Sequence, residues 1–147
     1  MLFGKKRPVK LPTDYIRNSF PSFKGKHIYF TIDKEKLKAV NNLVNKLNVT
    51  KFTLFLAIFK LSLYYFSKQE TISIGIFVSS QLEQTNDMLG LFGNKIFIQS
   101  KILPNVTVED FINQELQSVL KAISNSNFPA YTLETQNCAF PLIYFQL

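Results

Sequence analysis

Apolar positions along the chain change period several times, and each change marks an element. His27-Ile28-Tyr29-Phe30-Thr31-Ile32 is rich in β-branched and aromatic residues, so the run predicts a strand. Asp33 then stands where a helix cap belongs. Leu37, Val40, Val44 and Leu47 recur at helical spacing, which predicts a helix over Lys34–Leu47 with its lysines outward. Thr50 opens a second helix, Lys51–Ser67, that is apolar nearly all round, the pattern of a helix covered on more than one face. Residues 71–80 read as a central strand, because continuous apolar character implies cover on both faces. Residues 81–87 are a polar loop, and 95–102 form another strand ended by Pro104. Thr107 with Asp110 resembles a capping box before a third helix, Val108–Ser124. That helix places Phe111, Ile112, Leu116, Val119, Leu120 and Ile123 on one face. A loop over 125–129 and a strand over 141–147 complete the order β-α-α-β-β-α-β. Strands mixed with packed helices imply an α/β fold, a two-layer sandwich of mixed β-sheet and helices.

Composition sharpens this picture. At 147 residues, about 70% of the unfolded surface can be buried. Hydrophobic residues at 46% against 18% charged exclude a disordered chain. Fifteen Phe and six Tyr with no Trp supply more aromatic surface than a small private core needs, leaving some for a partner surface. Residues 1–26 form a basic irregular lead-in or linker, in which Pro8, Pro12 and Pro21 block regular structure. Residues 27–147 form the folded unit.

The formal net charge is +7, and Lys5, Lys6, Arg7 and Lys10 cluster in the lead-in. Clustered cations suit phosphates, but no RNA-binding signature accompanies them, so a nucleic-acid partner is not expected. Cys138 is the only cysteine, which rules out an intrachain disulfide and fits a cytoplasmic location. It reads as a small hydrophobe, since no adjacent base is evident. The sequons at Asn48 and Asn105 fall at turns where Thr50 and Thr107 read better as helix caps. Prolines interrupt the early residues, so no signal peptide is expected. The run from Phe52 to Phe66 is too short to span a bilayer and contains Lys60, so no membrane partner is expected.

Several segments, in order, carry a resemblance. Leu11-Pro12-Thr13-Asp14-Tyr15, with Arg17 after it, is similar to an LPTDxPRP entry in which Ile16 replaces a proline. Asn48-Val49-Thr50-Lys51-Phe52-Thr53-Leu54-Phe55-Leu56-Ala57-Ile58-Phe59 is similar to a GVTLFMVLLAAF helix start. Leu63-Tyr64-Tyr65-Phe66-Ser67-Lys68-Gln69-Glu70-Thr71-Ile72-Ser73-Ile74-Gly75 is similar to LLYRYSGQEDIVIG. Met88-Leu89-Gly90-Leu91-Phe92-Gly93-Asn94 is similar to LIGxFVN, and Asn125-Ser126-Asn127-Phe128-Pro129 sits where HQDxP is expected. Pro141-Leu142-Ile143-Tyr144-Phe145 is a weaker match to the strand that follows. Together they resemble the carboxyl-terminal half of a nonribosomal peptide synthetase condensation domain. The generic alternative is an α/β domain sharing common textures.

The resemblance implies one incomplete chloramphenicol-acetyltransferase-like half, with residues 27–147 as a truncated carboxyl-terminal subdomain. It implies the amino-terminal half of a condensation domain and carrier (thiolation) domains as partners. Substrates would arrive as thioesters on the phosphopantetheine arms of those carriers, with no cofactor bound directly, and an amide bond would form between the halves. It also implies substrate-tunnel residues Gly90, Phe92, Asn94, Asn127 and Pro129, with no catalytic residue and no metal. Gly90 and Gly93 would permit close backbone approach, or serve a plain turn. Asn94 could bond a pantetheine amide or hold a loop, and Asn127 could simply shape a turn.

The departures matter equally. The family's catalytic HHxxxDG is absent, since His27 is the sole histidine and is followed by Ile28-Tyr29-Phe30-Thr31-Ile32-Asp33. The expected HQD triplet is Asn125-Ser126-Asn127. Three readings follow: an enzyme part inactive alone, a non-catalytic module that binds a carrier or other partner, and a self-assembling acetyltransferase-like oligomer. The missing histidine motif weighs most against the third.

Overall fold

Helix starts are set by side-chain caps. The computed structural model describes residues 9–16, 20, 24–79, 87–90, 93–126 and 143–147. Asp33 accepts from the backbone N–H of Lys36 and caps α1, Lys34–Leu47. The hydrogen bond from the Lys36 ammonium holds the Asp33 carboxyl below its ordinary range. Thr50 caps α2, Lys51–Ser67, by accepting from Thr53 N–H at 3.1 Å. Thr107 caps α3, Val108–Ser124, in the same way through Asp110 N–H. The Thr107–Asp110 pair departs from a reciprocal capping box: the Thr107 hydroxyl donates to the Asp110 carboxylate at 2.6 Å. Each cap satisfies a backbone donor that the helix itself leaves unpaired.

The strands are β1, Thr71–Ser79; β2, Gly93–Lys101; and β3, Tyr144–Phe145. They form a mixed sheet in the order β2-β1-β3, antiparallel between β1 and β2 and parallel between β1 and β3. The fold is α/β, as expected. Side chains alternate across a strand, so register assigns the two faces. Ile72, Ile74 and Ile76 on β1 share a face with Ser100, Ile98 and Ile96 on β2 and Phe145 on β3. This face meets the helices, where Phe145 packs against Phe52 and Phe59 of α2. The core unites these isoleucines with Leu54, Leu56, Ala57 and Leu63 of α2 and Phe111, Ile112 and Val119 of α3. Residues 72–76 are all buried, Ser73 and Gly75 on the far face included, which matches the continuous apolar pattern of β1.

Gly75 has a steric reason. A Cβ built there would lie 2.5 Å from two ring carbons of Tyr144, which lies across it. Tyr144 in turn packs against Phe77, ring centroids 5.6 Å apart, and the Lys95 ammonium sits 5.8 Å from the Tyr144 ring.

Three expectations need correction. Residues 27–32 are not a strand: they run through irregular backbone, with Ile28, Tyr29 and Phe30 each more than 80% exposed. Composition favours extension there, but a strand exists only where a neighbour completes its ladder. Strand geometry in the last segment is confined to Tyr144–Phe145 among the described residues. Leu120 and Ile123 are about half exposed, so the buried face of α3 is narrower than its apolar pattern and includes Glu115 instead. In the lead-in, Val9 joins the core, and Lys10 N–H donates to the Gln69 side chain at 2.6 Å. The basic residues at 5–7, most of the 81–87 loop, and Cys138 lie outside the described residues.

Two outcomes follow. Thr50→Ala removes the α2 cap and lowers unfolding free energy by about 1 kcal/mol in urea denaturation. Gly75→Ala forces Tyr144 off β1 and costs about 1–3 kcal/mol by the same measurement.

Candidate functional site

Of the tunnel residues implied by resemblance, Gly90 and Asn94 are described, and they flank the start of β2. Gly90 lies in an exposed bend three residues before Gly93, the first residue of β2. Asn94, the second residue of β2, is half-buried on the helix-facing side. Its side-chain amide donates to the backbone carbonyl of Ser126, just past the end of α3. Ser126 is itself buried and closes the α3 terminus through its N–H to the Ile123 carbonyl at 2.9 Å. This hydrogen bond links Asn94 of the 88–94 motif to Ser126 of the 125–129 motif, far apart in sequence. Phe92, Asn127 and Pro129 lie outside the described residues.

A second polar constellation sits deeper and was not foreseen. Lys60 of α2 and Glu115 of α3 are both fully buried, with the ammonium 2.7 Å from one carboxylate oxygen. The same ammonium donates to the Ser100 hydroxyl of β2, also at 2.7 Å. Burial pulls the Lys60 ammonium below its usual range, and the Glu115 charge opposes that pull. The second Glu115 oxygen has no hydrogen-bond partner among the described residues. Burying two charges is costly unless they pair and bond well, and here one ammonium on α2 bonds to both α3 and β2. The sequence carried a signal: Lys60 interrupts an otherwise apolar helix, and Glu115 is four residues after Phe111 and three after Ile112, on their face. Nothing in the sequence says that the two meet.

Other candidates fall away from these groups. His27 lies exposed, its ring stacked on Tyr29 with centroids 6.1 Å apart. Among the described residues, no group of three or more His, Cys, Asp or Glu side chains could hold a metal ion. No single described helix is long and apolar enough to cross a membrane.

The arrangement ties the start of β2 to the end of α3, and no described imidazole is set beside Asn94 for proton transfer. The sequence matches the family described as Condensation domain over residues 2–139. It is 30% identical over 134 residues to gramicidin S synthase 2 of Brevibacillus brevis, covering 90% of this chain and 3% of that protein. In fold it is similar to a holo four-domain nonribosomal peptide synthetase bound to AMP and glycine. There the TM-score is 0.82 at 22% identity, over 97% of this chain and 12% of the other. It is also similar to the X-domain from teicoplanin biosynthesis, solved in complex with OxyB. That likeness has a TM-score of 0.80 at 17% identity, over 95% of this chain and 31% of the other. The chain thus spans only a few per cent of the length of the synthetase it matches in sequence.

Lys60→Met alone leaves the Glu115 charge buried without a cation and lowers stability by about 3–5 kcal/mol. Lys60→Met with Glu115→Leu costs far less than the sum of the two single variants in a urea double-mutant cycle.

Proposed function

This chain belongs to the condensation-domain family of nonribosomal peptide synthetases, and we propose that it is the carboxyl-terminal, chloramphenicol-acetyltransferase-like half of such a domain. In this reading, residues 1–26 lead in and residues 27–147 build one wall of the reaction chamber. The amino-terminal half builds the other wall and brings the HHxxxDG histidine. Carrier domains deliver both substrates as phosphopantetheine thioesters.

The reaction is aminolysis. The acceptor amine attacks the donor thioester carbonyl, a C–N bond forms, the C–S bond breaks, and the amine proton is passed on as the thiol leaves. An imidazole that accepts the proton must reach the amine directly or through one water. The observation that carries the reading is the pairing of ordered family segments across residues 11–130 with a sole histidine, His27, outside any HHxxxDG. This chain's share is then binding and orientation. The bend at Gly90 offers backbone to a pantetheine arm. Asn94 braces the start of β2 against Ser126 rather than handling protons. Phe92, Asn127 and Pro129 are proposed to line the same wall.

A second reading has its own support. A fold likeness to an X-domain solved with OxyB, joined to the missing histidine motif, favours a non-catalytic module that binds a carrier or other protein. The positive net charge would steer an acidic carrier toward it.

The test is dipeptidyl thioester formation from two loaded carrier domains. The chain alone is expected to give no product, and the chain mixed with a separately made amino-terminal half bearing HHxxxDG is expected to give dipeptide. Turnover by the chain alone overturns the first reading. Salt-sensitive carrier binding with no product after mixing establishes the second.

A further inference from the structure

Two contacts pin α3 to β2 at separated points. Near the end of β2, Ser100 is tied to Glu115 through the Lys60 ammonium, at 2.7 Å on each side. Near its start, Asn94 donates to the Ser126 carbonyl. Following β2 from 100 back to 94 covers about 20 Å at strand rise. Following α3 and its terminal turn from 115 forward to 126 covers about 16 Å at helix rise. The helix therefore runs antiparallel to the strand, and the two pins lie near opposite ends of their shared length.

The space between the pins is filled by apolar contacts, among them Ile96 and Ile98 on the strand and Val119 on the helix. Apolar contacts tolerate sliding and rotation, because they have no direction of their own. A buried charge pair does not tolerate it: a shift of one helical residue would part the carboxylate from the ammonium inside the core. The Lys60–Glu115–Ser100 end therefore fixes the axial setting of α3. The Asn94–Ser126 bond can form only at that setting.

We propose that Lys60 and Glu115 are positioning residues, which lock α3 on β2 in the one register that brings the end of α3 to the start of β2. In consequence they set the spacing between Asn94, in the 88–94 segment, and Ser126, in the 125–129 segment. This deepens the reading of those segments as one chamber wall and, for its effect on catalysis, rests on that reading. The pinning itself does not.

The test uses the chain with Lys60→Met and Glu115→Leu together, which leaves no unpaired charge. The first readout is the side-chain amide signal of Asn94 in nitrogen-proton NMR, assigned by its loss in Asn94→Asp. In the double variant we expect this signal to leave its hydrogen-bonded position, or to split, while the denaturation midpoint stays near that of the parent. Backbone amide exchange at the start of β2 should rise about tenfold, with residues 72–76 unchanged. If the double variant does not fold, Ser100→Ala takes its role, because it removes one tie without unpairing a charge. A folded variant with an unmoved Asn94 signal overturns the proposal.

The second readout is dipeptide formation in the two-half mixture, where the double variant should lose at least tenfold in rate. A displaced Asn94 signal with undiminished rate upholds the pinning and overturns its part in the chamber. Absence of product from the parent mixture, with the NMR result as expected, overturns the functional reading alone.

Discussion

A lysine and a glutamate that touch no water constrain how the packed elements of this molecule are set against one another. Lys60 lies on a helix whose neighbours are leucine, phenylalanine and alanine, and Glu115 lies among the aromatic and branched residues of α3. Neither charge is tolerable alone in such surroundings, since removing an ion from water costs several kcal/mol even after relaxation. Together with Ser100 they convert that cost into a geometric requirement. Hydrophobic burial supplies most of the drive to collapse, but it is non-directional. The charge pair supplies direction. The sheet, α2 and α3 can be packed in only those ways that bring the three groups into contact.

Most of the architecture was legible in the amino-acid order because local rules dominate there. Asp33, Thr50 and Thr107 each stand one residue before a helix and cap it. The apolar character of α2 translated into burial except along Ile58, Ser62, Tyr65 and Phe66, which are exposed, and the continuous apolar run of β1 into a strand buried over residues 72–76. Where the reading failed, the missing information was non-local. Residues 27–32 have the composition of a strand and no ladder partner among the described residues. The narrowed face of α3, with Glu115 inside and Leu120 and Ile123 half exposed, depends on where Lys60 lies, and that is set by a different helix.

The candidate site shows the same division. The segment matches placed Gly90 and Asn94 near one another simply by their proximity in the chain. That Asn94 reaches Ser126, thirty-two residues on, follows only from the antiparallel seating of α3 on β2. The chemistry of Asn94 admitted both a ligand-binding and a loop-holding role, and its amide group serves the second in the fold. Proton transfer has no candidate at that place, because the one imidazole of the chain is at position 27, in the exposed lead-in to α1.

That lead-in has a colloidal consequence. His27-Ile28-Tyr29-Phe30-Thr31-Ile32 is a six-residue run with no acidic or lysine side chain, no proline and a strong leaning toward extension. It lies open to water. Stretches of this kind are the ones that stack against copies of themselves when nothing shields them. Natural sheets guard such stretches with charge, and here the guards are Lys24 and Lys26 on one side and Asp33 and Lys34 on the other. Ionic strength, which weakens repulsion between those flanks, therefore governs how concentrated a clear solution of the chain can be.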